Sequence, residues 1–175
     1  MTEPQIPVEQ LYHLSSFRRS DLDEMIRHLN NPAIVLNLRA IPVPYTHELG
    51  HKYYDFLEKE VAANPQRGRL KFIIRDVEEK PVGEISVKRE DNQWILGYWL
   101  GTEYWGKGIM TWACREALKA ARREGVMKVI ATPKQGNWSS RKVLEKNGFK
   151  YVKDERHYFG TDDKVHEVWV LEINL

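Results

Sequence analysis

Apolar residues change their spacing twice along this chain, and the changes mark its parts. Between Leu11 and Ala63 they fall in short amphipathic runs. Leu11-Tyr12-His13-Leu14 predicts a first strand. A helix is predicted from Asp21 to about Leu29, with Ser20 as its cap and Asp21, Asp23 and Glu24 at its positive end. Three prolines between Pro32 and Pro44 predict an irregular connection, and a second helix follows from Thr46 to Ala63. From Leu70 a β-rich pattern takes over: Leu70–Val77 and Val82–Lys88 predict strands joined by a turn at Glu78-Glu79-Lys80-Pro81, and Trp94–Leu100 predicts a third. Beyond Met110 the period lengthens. Apolar residues at 110, 113, 114, 117, 118 and 121 make one helical stripe, with Arg115, Lys119, Arg122 and Arg123 on the opposite face. Gly125 ends that helix, and Val126–Thr132 predicts a strand. Ser140–Lys146 predicts a short helix with Val143 and Leu144 inward, stopped by Gly148. Tyr151–Phe159 and Glu167–Ile173 predict the last strands. Helices interleaved with a largely antiparallel sheet give a mixed α/β domain of the α+β kind, spanning residues 1–175 without an internal linker.

Composition narrows the class without naming a function. A chain of 175 residues, 42% hydrophobic and with six Trp, builds a real core. A net charge of +2 is too small to drive nucleic-acid or membrane binding, so neither partner is expected. No apolar run reaches the ~18 residues of a spanning helix. The N-terminal stretch lacks the basic start and apolar core of a secretory signal. The single Cys114 excludes an intramolecular disulfide and fits a reducing compartment, so a cytoplasmic protein is expected. At 114 it also lies on the inward helical stripe, which argues against a covalent acyl-cysteine step.

The stretch from Trp94 to Phe149 carries the chemistry. A strand, a glycine turn at Trp105-Gly106-Lys107-Gly108 and a helix from Ile109 place several backbone N–H groups at a positive helix end, which suits a pyrophosphate. An ordinary strand-to-helix bend would use glycine equally well. It is neither a Walker loop, because Gly108 and not a Ser/Thr comes directly after Lys107, nor a dinucleotide fingerprint, because Thr111 stands where the third glycine belongs. Asn137 and Ser140 follow a strand at a helix start. Both are good capping residues, and both can also hydrogen-bond an amide-rich ligand or a thiol leaving group. Taken with the glycine turn, they favour a ligand with a phosphate end and a long arm.

These motifs resemble the GNAT superfamily of acetyl-CoA-dependent N-acetyltransferases, in particular the branch of ribosomal-protein N-terminal acetyltransferases. That branch shows G-Y-W-L, W-G-x-G, N-x-x-S and a closing G-F, present here as Gly97-Tyr98-Trp99-Leu100, Trp105 to Gly108, Asn137 to Ser140, and Gly148-Phe149. The resemblance implies a GNAT-like twisted sheet of about six to seven mostly antiparallel strands with about four helices. It implies acetyl-CoA as cosubstrate, no metal, and a primary-amine acceptor, either a peptide N-terminus or a small molecule. A monomer or homodimer is expected. It places pantetheine on the backbone of Trp99, Leu100 and Gly101, and pyrophosphate on Trp105, Gly106, Lys107, Gly108, Ile109 and Met110. Asn137 then falls near the thioester, Ser140 is the candidate proton donor to the departing thiolate, and Lys142 or Arg141 approaches the adenosine phosphate.

Two positions depart from the family pattern. Glu103 stands where the turn usually begins with Gln or Arg. Ile95 stands two residues before Gly97, where related chains often carry an acid, and that missing acid keeps a non-catalytic acyl-CoA-binding module open as an alternative. An amine must be neutral to attack a thioester, so a base is still required. Glu84 and His157 are the candidates. Each also fits the ordinary role of a hydrogen-bonded strand residue.

One motif competes. His47-Glu48-Leu49-Gly50-His51 is a literal H-E-x-x-H, which on a helix sets two imidazoles on one face for zinc and a glutamate beside them. Its extended form fails, since Tyr54 and Leu57 occupy the later glycine and histidine positions. Within the family pattern the same segment becomes the helix beside the acceptor, where His47, Glu48 and His51 can contact substrate.

Overall fold

The protein is seen in a computed structural model that describes residues 6–63 and 69–175. Its centre is a seven-stranded sheet in the order β1-β2-β3-β4-β5-β7-β6. The strands are β1 Tyr12–Ser15, β2 Arg69–Asp76, β3 Pro81–Glu90, β4 Gln93–Leu100, β5 Lys128–Ala131, β6 Lys150–Phe159 and β7 Lys164–Asn174. All neighbours are antiparallel except β4 and β5. Six α-helices accompany them among the described residues: α1 Val8–Leu11, α2 Leu22–Leu29, α3 Pro32–Val35, α4 His47–Ala63, α5 Ile109–Arg123 and α6 Trp138–Lys146.

The two helices beyond the expected four are single turns. Asn31 accepts a hydrogen bond from the Ala33 amide and Pro32 takes the first helical position, so α3 forms inside the segment expected to be irregular. Ser20 does not cap α2. It lies in a 3-10 turn, Arg19–Asp21, and the Asp21 carboxylate accepts from the Arg18 amide at 2.7 Å.

Alternation along the strands divides the core between two faces. Ile74, Ile85, Leu96 and Leu100 pack under α5, whose buried residues include the whole expected stripe from Met110 to Ala121. Ile73 and Trp99 point the other way, under Met25, Leu29, Ile34 and Tyr45. One buried ion pair fixes that second layer. Arg75 and Asp21, each 1% exposed, meet in a double hydrogen bond of 2.7 Å on both arms. The remaining guanidinium donors reach Ser15, Ser16 and the Glu79 carbonyl, so the buried charge is fully satisfied.

Candidate functional site

A single paired position, Ile95 with Ile130, joins β4 to β5. Past it the strands part. Pro133 has no N–H to continue a ladder toward β4, and its carbonyl instead accepts from Trp169 on β7. The result is an open cleft of about 1070 Å³. One half is a wedge between Gly97–Leu100 and Ala131–Asn137. The other half spreads over the β2–β3 face beneath α3, α4 and the connection between them.

The wedge ends at the glycine turn. Gly106 and Gly108 adopt φ of 76° and 77°, the left-handed region that glycine enters without cost. Gly108 is the cap of α5, and Trp112 is the first residue whose amide closes a bond in that helix, onto the Gly108 carbonyl. The six amides from Gly106 to Thr111 have no partner among the described residues. They converge at a helix N-terminus, a donor set suited to a pyrophosphate. Trp105 braces the turn by donating its indole N–H to the Leu100 carbonyl at 2.8 Å. Gly101 is glycine for another reason: a Cβ there would run into the His28 ring. Burial lowers the pKa of His28, and Arg27 donates to its Nε2, so the imidazole stays neutral against the turn.

The far wall of the wedge is α6. Asn137 caps it, its side-chain oxygen accepting from the Ser140 amide at 3.1 Å, so the plain structural role is real and the amide NH2 is left toward the cleft. Ser140 Oγ lies 2.7 Å from the Tyr98 hydroxyl. Burial pushes the Tyr98 phenol far above its usual range, so it remains a proton carrier at neutral pH. Lys142 lines the cleft. Arg141 does not: it pairs with Glu145 and stacks against Trp138, Tyr151 and Trp169. Lys107 sits over the Tyr104 ring at 5.6 Å.

On the sheet face, Glu84 lies opposite Trp99 across β3 and β4 and lines the cleft. It is paired with Lys71 at 2.8 Å, and Lys71 also donates to the Tyr53 hydroxyl at 3.0 Å. Burial disfavours the Lys71 charge, but Glu84 and Tyr53 outweigh it and raise the lysine pKa. Nearby Tyr45 is pushed up to about 12, by burial first and then by Glu84. Ile95 lies on this same face with no acid to offer. His157 is outside the cleft lining. Arg39 donates to its Nδ1 at 3.1 Å and its Nε2 donates to Glu155 at 2.9 Å, which ties it into a charged chain at the cleft's outer edge.

The H-E-x-x-H residues are turned away. His47 faces Asp23, Glu48 binds Lys52 and His51 accepts from Arg19, while Tyr45, Leu49, Tyr53 and Phe56 line the cleft. Among the described residues no group of three or more His, Cys, Asp or Glu could hold a metal. Among the described residues the zinc alternative therefore finds no third ligand. Cys114 is buried, and burial pushes its thiol up to about 12, far from a reactive thiolate. Sequence reasoning missed Tyr98 and Lys71 as side chains. Tyr98 stood inside a motif read for its backbone, and Lys71 was a charge interrupting an apolar strand, a signal of a buried partner.

Comparison with known proteins agrees with this geometry. A family model described as "Acetyltransferase (GNAT) domain" matches residues 13–150. No curated protein sequence matches the chain significantly. Among solved structures, the spermidine N-acetyltransferase of Vibrio cholerae in complex with CoA and spermine superposes with a TM-score of 0.78 at 17% identity, covering 94% of this chain and 96% of that one. The ribosomal-protein-S5-alanine acetyltransferase of Vibrio fischeri gives 0.76 at 20% identity, covering 93% and 92%. Mycobacterium smegmatis RimJ in complex with CoA-disulfide gives 0.77 at 20% identity, covering 93% and 81%. At these identities the likeness is one of fold.

Proposed function

This chain belongs to the GNAT family of acetyl-CoA-dependent N-acetyltransferases, and on that premise we propose that it passes the acetyl group directly to a primary amine, a protein N-terminus or a small amine, with both substrates bound together. The observation that carries this reading is the wedge between β4 and β5 running to six unpartnered amides at Gly106–Thr111. The donor set, the narrow channel and the size of the cleft fit a pyrophosphate with a long amide-bearing arm.

Acetyl-CoA, when bound, supplies an activated acyl carbon carried on a thiol leaving group. The amides from Gly106 to Met110 hold the pyrophosphate, with Lys107 and Lys142 adding charge and Trp105 bracing the turn. The backbone of Trp99 and Leu100 and the Asn137 amide orient the arm, while Gly101, whose N–H is spent on the Val82 carbonyl and whose carbonyl accepts from Tyr104, fixes the end of β4 beside it. Ser140 donates its hydroxyl proton to the departing sulfur and regains one from water once the thiol has left, while Tyr98, at 2.7 Å, stays a neutral phenol and holds the Ser140 hydroxyl in place. Glu84 takes the proton released by the attacking amine, directly or through a water. Lys71 holds its carboxylate in place. No step is assigned to His157, which lies outside the cleft lining. Both halves of the cleft come from one chain, which supports a monomer or a homodimer of independent sites. The lone buried Cys114 supports a cytoplasmic setting. Among the described residues no helix is long and apolar enough to cross a membrane.

A thiol-release assay with acetyl-CoA across a panel of peptides and small amines tests the reading. Release that depends on an added amine is expected. Release that no amine accelerates would overturn it.

A further inference from the structure

The acceptor half of the cleft has a charge arrangement that selects among amines. Among the described residues its lining holds two carboxylates, Glu84 and Glu90. Both are already committed. Glu84 carries Lys71 at 2.8 Å, and Glu90 carries two cations at once, Lys88 at 2.6 Å and Arg39 at 2.9 Å. A polyamine acceptor keeps further ammonium groups after its reacting nitrogen loses a proton, and each would need a carboxylate this cleft has already used. The surplus at the outer mouth is positive. Arg39 and Lys88 share one glutamate, and although His157 links Arg39 on to Glu155, that carboxylate is already balanced by Lys153 at 2.7 Å.

Arg39 is held, not loose. Its carbonyl accepts from the Gly160 amide at 2.9 Å, and the adjacent Leu38 carbonyl accepts from the Thr161 hydroxyl at 3.0 Å. The guanidinium is therefore aimed from a connection pinned to the β6–β7 turn, with Lys88 facing it from β3. We propose that Arg39 and Lys88 form a carboxylate-reading subsite, and that the acceptor is a peptide N-terminus with an acidic side chain a few residues in. This rests on the acetyltransferase reading above. The spacing follows from β3: Glu84 beside the reacting end and Lys88 at the mouth are four strand positions apart, roughly 13 Å at ~3.3 Å per residue. An extended peptide spans that gap in about four residues, and fewer once the reach of its side chain is counted. Free glutamate is too short to place its amine at Trp99 and its side-chain carboxylate on Arg39.

Binding to the full chain with coenzyme A present is measured for C-terminally labelled Ala-Ala-Glu-Glu-Ala-Ala, its lysine counterpart and spermidine. The acidic peptide is expected to bind about 5- to 10-fold more tightly than the lysine peptide, an advantage that shrinks as salt rises. In the Arg39→Gln/Lys88→Gln double variant the two affinities converge, while Arg39→Lys/Lys88→Arg retains the order. Free glutamate competes no better than free alanine. Tighter binding of spermidine or the lysine peptide overturns the inference, as does an acidic advantage that survives the double neutralisation or strong competition by free glutamate. Selective binding of the acidic peptide without thiol release from any amine would instead overturn the enzymatic reading and leave this subsite standing.

Discussion

The two halves of the cleft offer a ligand different kinds of groups. Around the wedge the working groups are backbone: six amides, two left-handed glycines and one capped helix end, with the Ser140–Tyr98 hydroxyl pair beside them. On the β2–β3 face they are side chains, and nearly all are charged groups already paired with one another. A backbone site is fixed once the turn and helix form, and it suits a cosubstrate that never changes. A side-chain site can be rewritten by substitution while the fold stays, which suits an acceptor that differs between relatives. The halves are therefore expected to respond separately to mutation.

The severest test is Asp21→Ala. It leaves the Arg75 guanidinium buried without its carboxylate, and removal of one partner from such a pair costs about 3–5 kcal/mol. The midpoint of urea unfolding should drop accordingly. Because the pair anchors α2 and β1 to β2 and lies apart from the glycine turn, coenzyme A affinity of the molecules that remain folded should change little. If affinity falls in step with stability, the two halves are one mechanical unit and the comparison fails.

Ser140→Ala comes next. The helix cap survives, since Asn137 accepts from the Ser140 backbone amide and not its hydroxyl. Tyr98 also keeps a partner in the Ser140 carbonyl at 3.2 Å. Only the proposed proton donor goes, so kcat should fall about 100-fold, at the low end of general acid catalysis, with coenzyme A affinity unchanged. Tyr98→Phe should cost less, because Ser140 can still deliver its own proton. Equal losses in the two variants would make Tyr98 the donor.

Gly108→Trp strikes the donor half alone. It forces a bulky residue to φ of 77° and sets an indole over the free amides. Loss of one or two charge-assisted hydrogen bonds, ~2 kcal/mol, predicts a roughly 30-fold weaker coenzyme A complex by calorimetry. The fold should persist, since a Cβ at this position would meet nothing within 4 Å. Unchanged affinity would remove the turn from the site.

The same division explains what could be read from the sequence. Gly106, Gly108, Asn137 and Ser140 were visible because a turn needing positive φ and a helix needing a cap admit few residue types at fixed spacing. The strands and the α5 stripe were visible because burial imposes a period. The acceptor half was not, because its partners are far apart in the chain: Arg39 meets Glu90 and Thr161 holds Leu38 only after the sheet has formed. Asp21 illustrates the limit. In sequence it is a first-turn acid suited to a helix dipole, and the Arg75 that buries it lies 54 positions away. Likewise the literal H-E-x-x-H has apt spacing, yet α4 turns Leu49 and Tyr53 inward and leaves both histidines outside.

The mildest prediction concerns the seam between the halves. Glu103, on the turn beyond β4, receives a hydrogen bond from Arg27 of α2 at 2.8 Å. Burial alone would raise its carboxyl pKa, but its own backbone amide and Arg27 outweigh that and hold it at about 2. A folded pKa below the unfolded value of 4.5 gives stability that is fully present above the unfolded value and disappears as pH falls through about 2. The side chain is 43% exposed, so solvent screening reduces the gain to about 0.5–1 kcal/mol. Glu103→Gln should therefore melt slightly below the parent at neutral pH, with the gap closing between pH 5 and pH 2 as the parent's carboxylate takes up its proton. Arg27 and His28 stand on the same turn of α2, one on Glu103 and the other against Gly101. A small fall in coenzyme A affinity in Glu103→Gln, with acceptor affinity unchanged, would mean this seam sets the shape of the donor turn and not of the acceptor wall.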